Sequence, residues 1–229
     1  MKKIKIITSI LIIAGIAGNA HAQNLNWESL KPETKHLLNI TVGLDYGTVT
    51  GIGYGYHLKF FLPTVLNISY SAPAGSKFFD DFKTKIGGQI RLVKIHDFAF
   101  TANVYGVFRR YENPFARWLN FGSDFSGVAG YYRTHWFVAG EFGFDKAVVT
   151  NFKHSTIYRE NYPQVQDGWY QPATGGNFYY GLQTGFSFEK SDITLTFGKI
   201  IEQDFRTDPL IPFYARLGFI WKFGEHSSN

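Results

Sequence analysis

The most constraining feature of the chain is a run of strict period-two alternation close to its C-terminal end. The odd positions read Phe213, Ala215, Leu217, Phe219, Trp221 and Phe223, and the even ones read Tyr214, Arg216, Gly218, Ile220 and Lys222. Because the side chains of a strand point alternately to opposite faces, this segment predicts a strand with one very apolar face. Aromatic residues crowded on that face are typical of strands whose exterior contacts lipid.

Nine earlier segments alternate in the same way, and no long segment has a helical period. The links between them alternate in length. Short turns are predicted at 59–63, 94–97, 133–135 and 189–192, and the opposite links at 47–50, 72–82, 112–118, 150–177 and 202–212. Ten strands with four inner turns and five outer loops place both barrel termini on the side of the short turns. We therefore expect an all-β fold, a closed antiparallel transmembrane β-barrel of ten strands, with eight or twelve strands as the alternatives.

A soluble barrel or sandwich would also alternate, so the polar face has to distinguish the two. That face is rich in glycine, as at Gly43, Gly87 and Gly181, with asparagine, glutamine and threonine between. A solvent-exposed face usually carries more lysine and glutamate, whereas a crowded lumen needs small residues. Charged residues are 18% of the chain, below the roughly 25% of soluble domains. The composition thus favours the membrane barrel, in which every backbone polar group is paired.

Residues 1–22 have the pattern of a secretory signal peptide. Three lysines within the first five residues precede an apolar stretch at 6–17, and Ala20 and Ala22 supply the small residues for cleavage before Gln23. The apolar stretch is too short for a membrane-spanning helix, which needs about 20 residues. We expect cleavage at this point and export from the cytoplasm.

The remaining chain is predicted to have three parts. Residues 23–36 are expected to form a periplasmic N-terminal segment, either a short interfacial helix or a loose tail, residues 37–223 the barrel, and residues 224–229 a C-terminal tail. The chain has no cysteine, which excludes disulfides, thiolate chemistry, cysteine-based zinc sites and the lipid-modified cysteine of a lipoprotein.

Over residues 37–223 the chain resembles the small bacterial outer-membrane β-barrels. The most specific part is Phe219-x-Trp221-x-Phe223, which looks like the C-terminal signal read by the barrel-assembly machinery. The resemblance implies the cell outer membrane of a Gram-negative-type bacterium, with outer-membrane lipid and the assembly machinery as partners. Barrels of this kind include adhesins, channels, proteases and lipid-modifying enzymes, so the fold fixes no activity.

Aromatic residues close to the short turns predict an inner girdle at the membrane interface, where tyrosine and tryptophan reach both lipid and water. The predicted girdle residues are Tyr56, Phe98, Tyr131, Trp136, Phe188 and Trp221.

Eleven ionisable residues are predicted to face the lumen, six basic and five acidic. Since buried charges are generally paired, we expect a salt-bridged interior network. Its predicted members are Arg91, Arg109, Asp124, Glu141, Asp145 and Arg216; the other predicted lumen charges are Asp45, Lys83, Lys85, Glu189 and Lys222. Glu141 and Asp145 lie about 13 Å apart along one strand, so each is expected to meet an arginine from a neighbouring strand.

Signals for catalysis are weak, and His154 in the long outer loop is the one candidate. Surface proteases of the omptin kind place histidine and aspartate groups at the outer rim, and His154 with an aspartate would imitate this; the available aspartates are Asp80, Asp81, Asp167 and Asp208. No motif for a cofactor, a metal or a nucleic acid is present. Loop 150–177, rich in tyrosine and tryptophan, is instead a candidate surface for an extracellular glycan or protein.

Three functions are consistent with these patterns. The leading hypothesis is a non-enzymatic envelope protein with an occluded polar lumen, whose outer loops bind or shield. The alternative is a narrow pore for ions or small solutes, since a lumen of nearly balanced charge suits weak selectivity. The third is a surface protease or lipid-modifying hydrolase with its site at the rim.

Overall fold

The computed structural model describes residues 24–45, 47–74, 81–172, 175–206 and 209–224. After a 3-10 turn at Trp27–Ser29, the strands are β1 (His36–Leu44), β2 (Thr48–Lys59), β3 (Pro63–Pro73), β4 (Phe82–Ile95), β5 (Phe98–Glu112), β6 (Ala116–Tyr132), β7 (Trp136–His154), β8 (Gly168–Tyr170), β9 (Gly176–Ser187), β10 (Ser191–Glu202) and β11 (Phe213–Phe223). One α-helix, α1 (Thr156–Asn161), lies between β7 and β8. No helix within the described ranges has the length and apolar character needed to cross a membrane.

Ten of the strands close into a barrel. Each of β1 to β7 pairs antiparallel with the next, β7 pairs with β9, and β9, β10 and β11 follow in order. The seam joins β1 to β11, with Ile40 opposite Phe219. The short strand β8 pairs only with the far end of β7 and lies outside the ring. The all-β class and the ten strands are therefore confirmed, and the alternatives of eight and twelve strands are wrong.

The two ends of the barrel differ in the length of their connections. At the end where β1 begins and β11 ends, successive strands are joined by two or three residues, and we call this the short-turn end. At the opposite end, the loop end, the longest connections are residues 155–175 and 203–212. This is the predicted arrangement. The predicted signal peptide, Gln23 and residues 225–229 lie outside the described residues.

The exterior is apolar and is bounded by two bands of aromatic rings. Near the short-turn end, the rings of Phe98 and Tyr131 are 5.1 Å apart, and towards the loop end those of Phe108 and Phe121 are 4.8 Å apart. Phe98 and Phe108 are ten residues apart on β5, which is about 33 Å along a strand. A strand tilt of about 40° turns this into a height of roughly 25 Å, that of an outer-membrane apolar band. Between the bands, Ile86 is 63% exposed, as expected of a side chain that faces lipid.

Strands β6 and β7 extend well beyond this belt at the loop end. They have 17 and 19 residues, whereas a transmembrane strand needs roughly 9–11. Residues predicted to belong to the outer links, such as Trp118 and Phe152, are therefore strand residues, and their rings meet at 5.8 Å. After β7, the Ser155 side chain accepts the Tyr158 N–H at 3.2 Å and begins α1.

Inward-facing glycines make room for large lumen side chains. A Cβ atom on Gly181 would lie 2.4 Å from the hydroxyl of Tyr214, and one on Gly143 would lie 2.3 Å from the ring of Tyr179. These two glycines therefore lie beneath tyrosines from strands one or two positions away in the barrel. This pairing of large with small residues shapes the interior of the barrel.

Candidate functional site: a polar cavity above an N-terminal floor

Residues 24–35 lie inside the short-turn end of the barrel and form a structure that we call the floor. Leu25 and Trp27 are 4% and 5% exposed and belong to a hydrophobic cluster with the barrel wall. The wall residues of this cluster are Leu37, Val65, Ala99, Val128, Tyr132, Phe137, Ala139 and Ile220. The segment is thus neither an interfacial helix nor a loose tail, because its apolar side chains have a buried site within the lumen.

The polar side chains of the floor hydrogen-bond to the wall. Asn26 donates from Nδ2 to the backbone oxygen of Arg133 and to Oγ of Ser187, both at 2.8 Å. Trp27 donates from Nε1 to Oγ1 of Thr101 at 2.9 Å. These contacts satisfy polar groups that would otherwise be buried without partners.

Ion pairs hold the edges of the floor. Glu28 accepts from Arg91 at 2.9 Å and from Lys94 at 2.6 Å. Arg91, predicted for the interior network, therefore pairs with the floor instead of with the other predicted members. Lys31 lies 2.7 Å from Glu189, and their hydrogen bond raises the pKa of Lys31 and lowers that of Glu189. Glu189 is exposed at a turn rather than facing the lumen, because the alternation ends before it.

A buried ion pair lies beside the floor at the closing strands. Lys222 on β11 lies 2.7 Å from Asp192 on β10, and the two side chains are 1% and 0% exposed. The Lys222 ammonium also donates to Oγ of Ser29 at 3.1 Å. The floor is therefore tied to the wall through a fully buried charge pair as well as through apolar contacts.

Above the floor the lumen contains a cavity of about 650 Å³, within the range of roughly 300–1,000 Å³ of ligand pockets. Its lower lining includes Leu25 and Trp27. Its upper lining includes Leu210 in the loop between β10 and β11, a residue that is 99% exposed. The cavity therefore runs from the floor to the surface at the loop end.

Four ion pairs line the wall of this cavity. They are Lys83 with Asp45 at 2.9 Å, Lys85 with Asp124 at 2.5 Å, Arg216 with Glu141 at 3.5 Å, and Arg109 with Asp145. Three of the pairs join strands that are not neighbours, and the fourth joins Lys83 on β4 to Asp45, directly after β1; Arg109 on β5, for example, reaches across β6 to Asp145 on β7. The five predicted network members other than Arg91 all line the cavity, but in separate pairs and with partners from more distant strands than predicted.

Two tyrosines hydrogen-bond to the carboxylates in this region. The hydroxyl of Tyr179 donates to Asp124 at 2.8 Å, and that of Tyr214 donates to Glu141 at 2.5 Å. The two rings meet edge to face with centroids 6.2 Å apart. Gln183 donates to the other oxygen of Glu141. Each oxygen of both carboxylates therefore already has a donor from the protein.

Two of the residues that line the cavity have a buried polar atom without a hydrogen-bond partner. Oδ1 of Asn103 and Nε of Arg216 make no hydrogen bond with any described residue. Asn103 is 5% exposed and Arg216 is 9% exposed, and both line the cavity. Such groups are rare in folded proteins because each carries a desolvation penalty.

Near the loop end three aromatic residues form what we call the collar. The rings of Tyr111 and Trp118 are 6.5 Å apart, and those of Trp118 and Phe152 are 5.8 Å apart. All three line the cavity. The collar places flat apolar faces at the upper part of a wall that is otherwise rich in paired charges.

His154 lies at the outer rim, above the cavity. Its ring Nδ1 is 2.8 Å from Oδ1 of Asp167, which also accepts the His154 backbone N–H at 2.8 Å. These bonds, the backbone one first, lower the pKa of Asp167. Asp81 instead accepts the backbone N–H of Glu112, while Asp80 and Asp208 lie outside the described residues. Among the described residues no group of three histidine or acidic side chains is placed to hold a metal ion.

The predicted girdle residues lie on the exterior close to the short-turn end, on the strands or turns that alternation assigned to them. Tyr131 contacts Trp136 with ring centroids 5.7 Å apart, in addition to its contact with Phe98. Phe219, Trp221 and Phe223 all face outward on β11.

The solved structures to which the chain is similar include two weak likenesses. No family model matches the chain, and no curated protein matches it. One similar structure is a "KdgM porin in complex with disordered oligogalacturonate", at 8% identity and a TM-score of 0.41, over 82% of this chain and 99% of that one. Another, from "Unveiling the Mechanism Behind the in-meso Crystallization of Membrane Proteins", has 7% identity and a TM-score of 0.36, over 85% and 86% of the two chains. Likeness this low transfers no substrate.

The architecture itself is more informative. Ten antiparallel strands close without a free edge, lipid-facing side chains alternate with a polar lumen, and a belt of the right height lies between two aromatic bands. Only such a closed barrel lets strands cross a bilayer with every backbone group paired. The chain therefore has the architecture of the small outer-membrane β-barrels, a closed antiparallel barrel of ten strands.

Proposed function

We propose that the barrel is a narrow pore for small polar solutes, kept closed at its periplasmic, short-turn end by the floor. The observation that carries the proposal is the cavity of about 650 Å³ that runs from Trp27 to the surface at the loop end. A core that served only to stabilise an occluded barrel would be packed at the density of other protein interiors. The cavity therefore supports the pore over the non-enzymatic envelope protein with an occluded lumen.

The contacts that attach the floor to the wall are consistent with its displacement from the lumen when the pore opens. Residues 24–33 form no backbone hydrogen bond to any described strand. At the entry to β1, the Thr34 carbonyl lies 2.9 Å from Nδ1 of His57, and Lys35 donates to Phe223 and accepts the His57 backbone N–H. The other contacts of the floor are made by side chains, among them Trp27 and Glu28. The floor can therefore leave the lumen while the backbone ladder of the barrel stays intact.

The charges on the cavity wall predict weak selectivity between cations and anions. Positive and negative side chains face the cavity in near-equal number, and each is held by a partner. Selective ion channels usually present rings of one sign. The open pore is therefore expected to pass small cations and anions at comparable rates.

Location and assembly belong to the same proposal. Cleavage before Gln23 would deliver the chain to the periplasm, and Phe219, Trp221 and Phe223 on the last strand would be read by the barrel-assembly machinery. Their outward position on β11 leaves them available before the seam closes.

The experiment is single-channel recording in planar bilayers with refolded, heat-modifiable protein. The parent chain should show rare openings, and a variant that lacks residues 24–30 should conduct continuously. Glu189→Gln is the matched control, because it removes only one exposed contact of the same segment, and it should resemble the parent. If neither the parent nor the deletion conducts although both are folded and inserted, the pore is wrong. The function would then lie in the outer loops, as in the predicted ligand surface at 150–177.

A further inference from the structure

We infer that the cavity binds an uncharged, polyhydroxylated solute, a neutral mono- or disaccharide, between its paired charges and its aromatic collar. The inference rests on the proposed pore, since it names the solute for that passage. Binding, however, needs only the opening at the loop end, and so it can be measured whether or not the floor ever moves.

The paired charges argue against a charged ligand. Asp124 and Glu141 each form an ion pair with a basic side chain and accept a hydrogen bond from a tyrosine, so a cationic ligand would have to displace groups already in place. Arg109 is held in turn by Asp145 and, at 2.9 Å, by Asn120. A neutral ligand leaves these pairs intact and avoids the penalty of leaving one partner buried and alone.

The two unpartnered atoms point to hydroxyl groups. Nε–H of Arg216 is a donor that needs an acceptor, and Oδ1 of Asn103 is an acceptor that needs a donor. A hydroxyl group offers both functions. A carboxylate or phosphate would satisfy only the arginine, and an ammonium group only the asparagine, so a ligand with several hydroxyls is the best match.

The aromatic faces fit the apolar part of the same ligand. A pyranose ring carries C–H groups on its faces and hydroxyls around its edge, so it packs on aromatic rings while its edge hydrogen-bonds. The cavity offers the rings of Tyr111, Trp118 and Phe152 in the collar. Tyrosine and tryptophan combine a large apolar face with a polar group and are well suited to amphipathic ligands. Polar groups that fix orientation within a largely aromatic lining are typical of small-molecule sites.

The test is isothermal titration calorimetry of the folded barrel in a detergent without a sugar headgroup. Glucose and maltose serve as neutral probes, and glucuronate and glucosamine carry a negative and a positive charge on a similar ring. The neutral probes should give saturable heat, and the charged probes at least about tenfold weaker binding.

Two variants test the assigned atoms. Asn103→Ala and Arg216→Lys should each weaken binding by about fivefold, the equivalent of one hydrogen bond. Arg216→Lys keeps a positive charge beside the buried Glu141 carboxylate, so this variant is expected to fold. Arg110→Lys, on the exterior of β5, is the matched control and should bind as the parent does.

The outcomes separate this inference from the proposed pore. No saturable heat with the neutral probes, tighter binding of either charged probe, or unchanged affinity in both cavity variants would overturn the saccharide site. Sugar binding in a barrel that never conducts would refute the pore and leave the site in place. Conduction without sugar binding would refute the site alone.

Discussion

Replacement of Trp27 by alanine is the sharpest single test of the floor. Trp27 is 5% exposed, packs in the cluster at the short-turn end and donates to Thr101. Arg91 also lies over its ring, 5.6 Å from the centroid. If the floor leaves the lumen when the pore opens, all of these contacts stabilise the closed state and none of them stabilises the open state.

The expected magnitude follows from burial. Truncation of a buried tryptophan to alanine costs about 3–5 kcal/mol. At about 1.4 kcal/mol per tenfold change, the ratio of open to closed barrels should rise by at least roughly 100-fold in Trp27→Ala. In Trp27→Phe the apolar volume is largely kept and one hydrogen bond is lost, so a loss of about 1 kcal/mol should raise the ratio only roughly fivefold.

The assay is the open probability of single inserted barrels at fixed voltage and salt. Thr101→Val removes the same hydrogen bond from the wall and should match Trp27→Phe. The double variant of Trp27→Phe and Thr101→Val should be no worse than either single variant, because both remove one shared interaction. Gel mobility with and without heating verifies that each variant is folded.

Two results would refute this reasoning. An open probability in Trp27→Ala within a few-fold of the parent would mean that the floor does not close the pore. Equal opening in Trp27→Phe and Trp27→Ala would mean that the apolar contact is not what holds it.

Three further predictions concern stability. Gly181→Ala should lower the free energy of unfolding by about 1–3 kcal/mol because its Cβ would overlap a lumen tyrosine. Gly106→Ala is the control and should not lower it, since its Cβ would have no heavy atom closer than 3.8 Å. Equal urea midpoints for the two variants would contradict this. Lys222→Met should lower the free energy of unfolding by about 3–5 kcal/mol because it leaves the Asp192 carboxylate buried without its cation. The double variant of Lys222→Met and Asp192→Asn should recover part of this loss in the same urea titration. Because hydrogen bonds lower the pKa of Asp167, its stabilising effect is present above the ordinary carboxyl pKa of about 4 and is lost as pH falls through the lowered value. Protection factors of the amides in the surrounding loop, corrected for the intrinsic pH dependence of exchange, should therefore fall in acid, and Asp167→Asn should abolish that fall.

The exterior of the barrel was predictable from the sequence because it depends on one local rule. In a strand the period is two whatever the neighbours are, so the outward positions of Ile40 on β1 and Phe219 on β11 follow from alternation alone. The lengths of the strands did not follow. Trp118 and Phe152 continue the pairing of β6 and β7 beyond the lipid through contacts that join distant parts of the chain.

The interior was less predictable, because alternation says which side a residue faces and not which residue it meets. Arg109 pairs with Asp145 two strands away, and Arg91 pairs with Glu28, which precedes the barrel. The sequence of residues 24–35 has neither a helical nor a strand period. A tryptophan in a short polar segment of this kind is compatible with a membrane interface or with a buried site. Only the tertiary structure assigns Trp27 to the lumen.

The position of the floor in the chain has a consequence for biogenesis. The floor immediately precedes β1, and its seat requires Ile220 and Lys222, which belong to the strand that arrives last. An assembly intermediate that lacks the β1–β11 pairing therefore lacks part of the site in which the floor is buried. The pairing that completes the wall also brings Lys222 to Ser29 and Ile220 into the cluster that contains Leu25. Closure of the barrel and burial of the floor therefore depend on the same strand, β11.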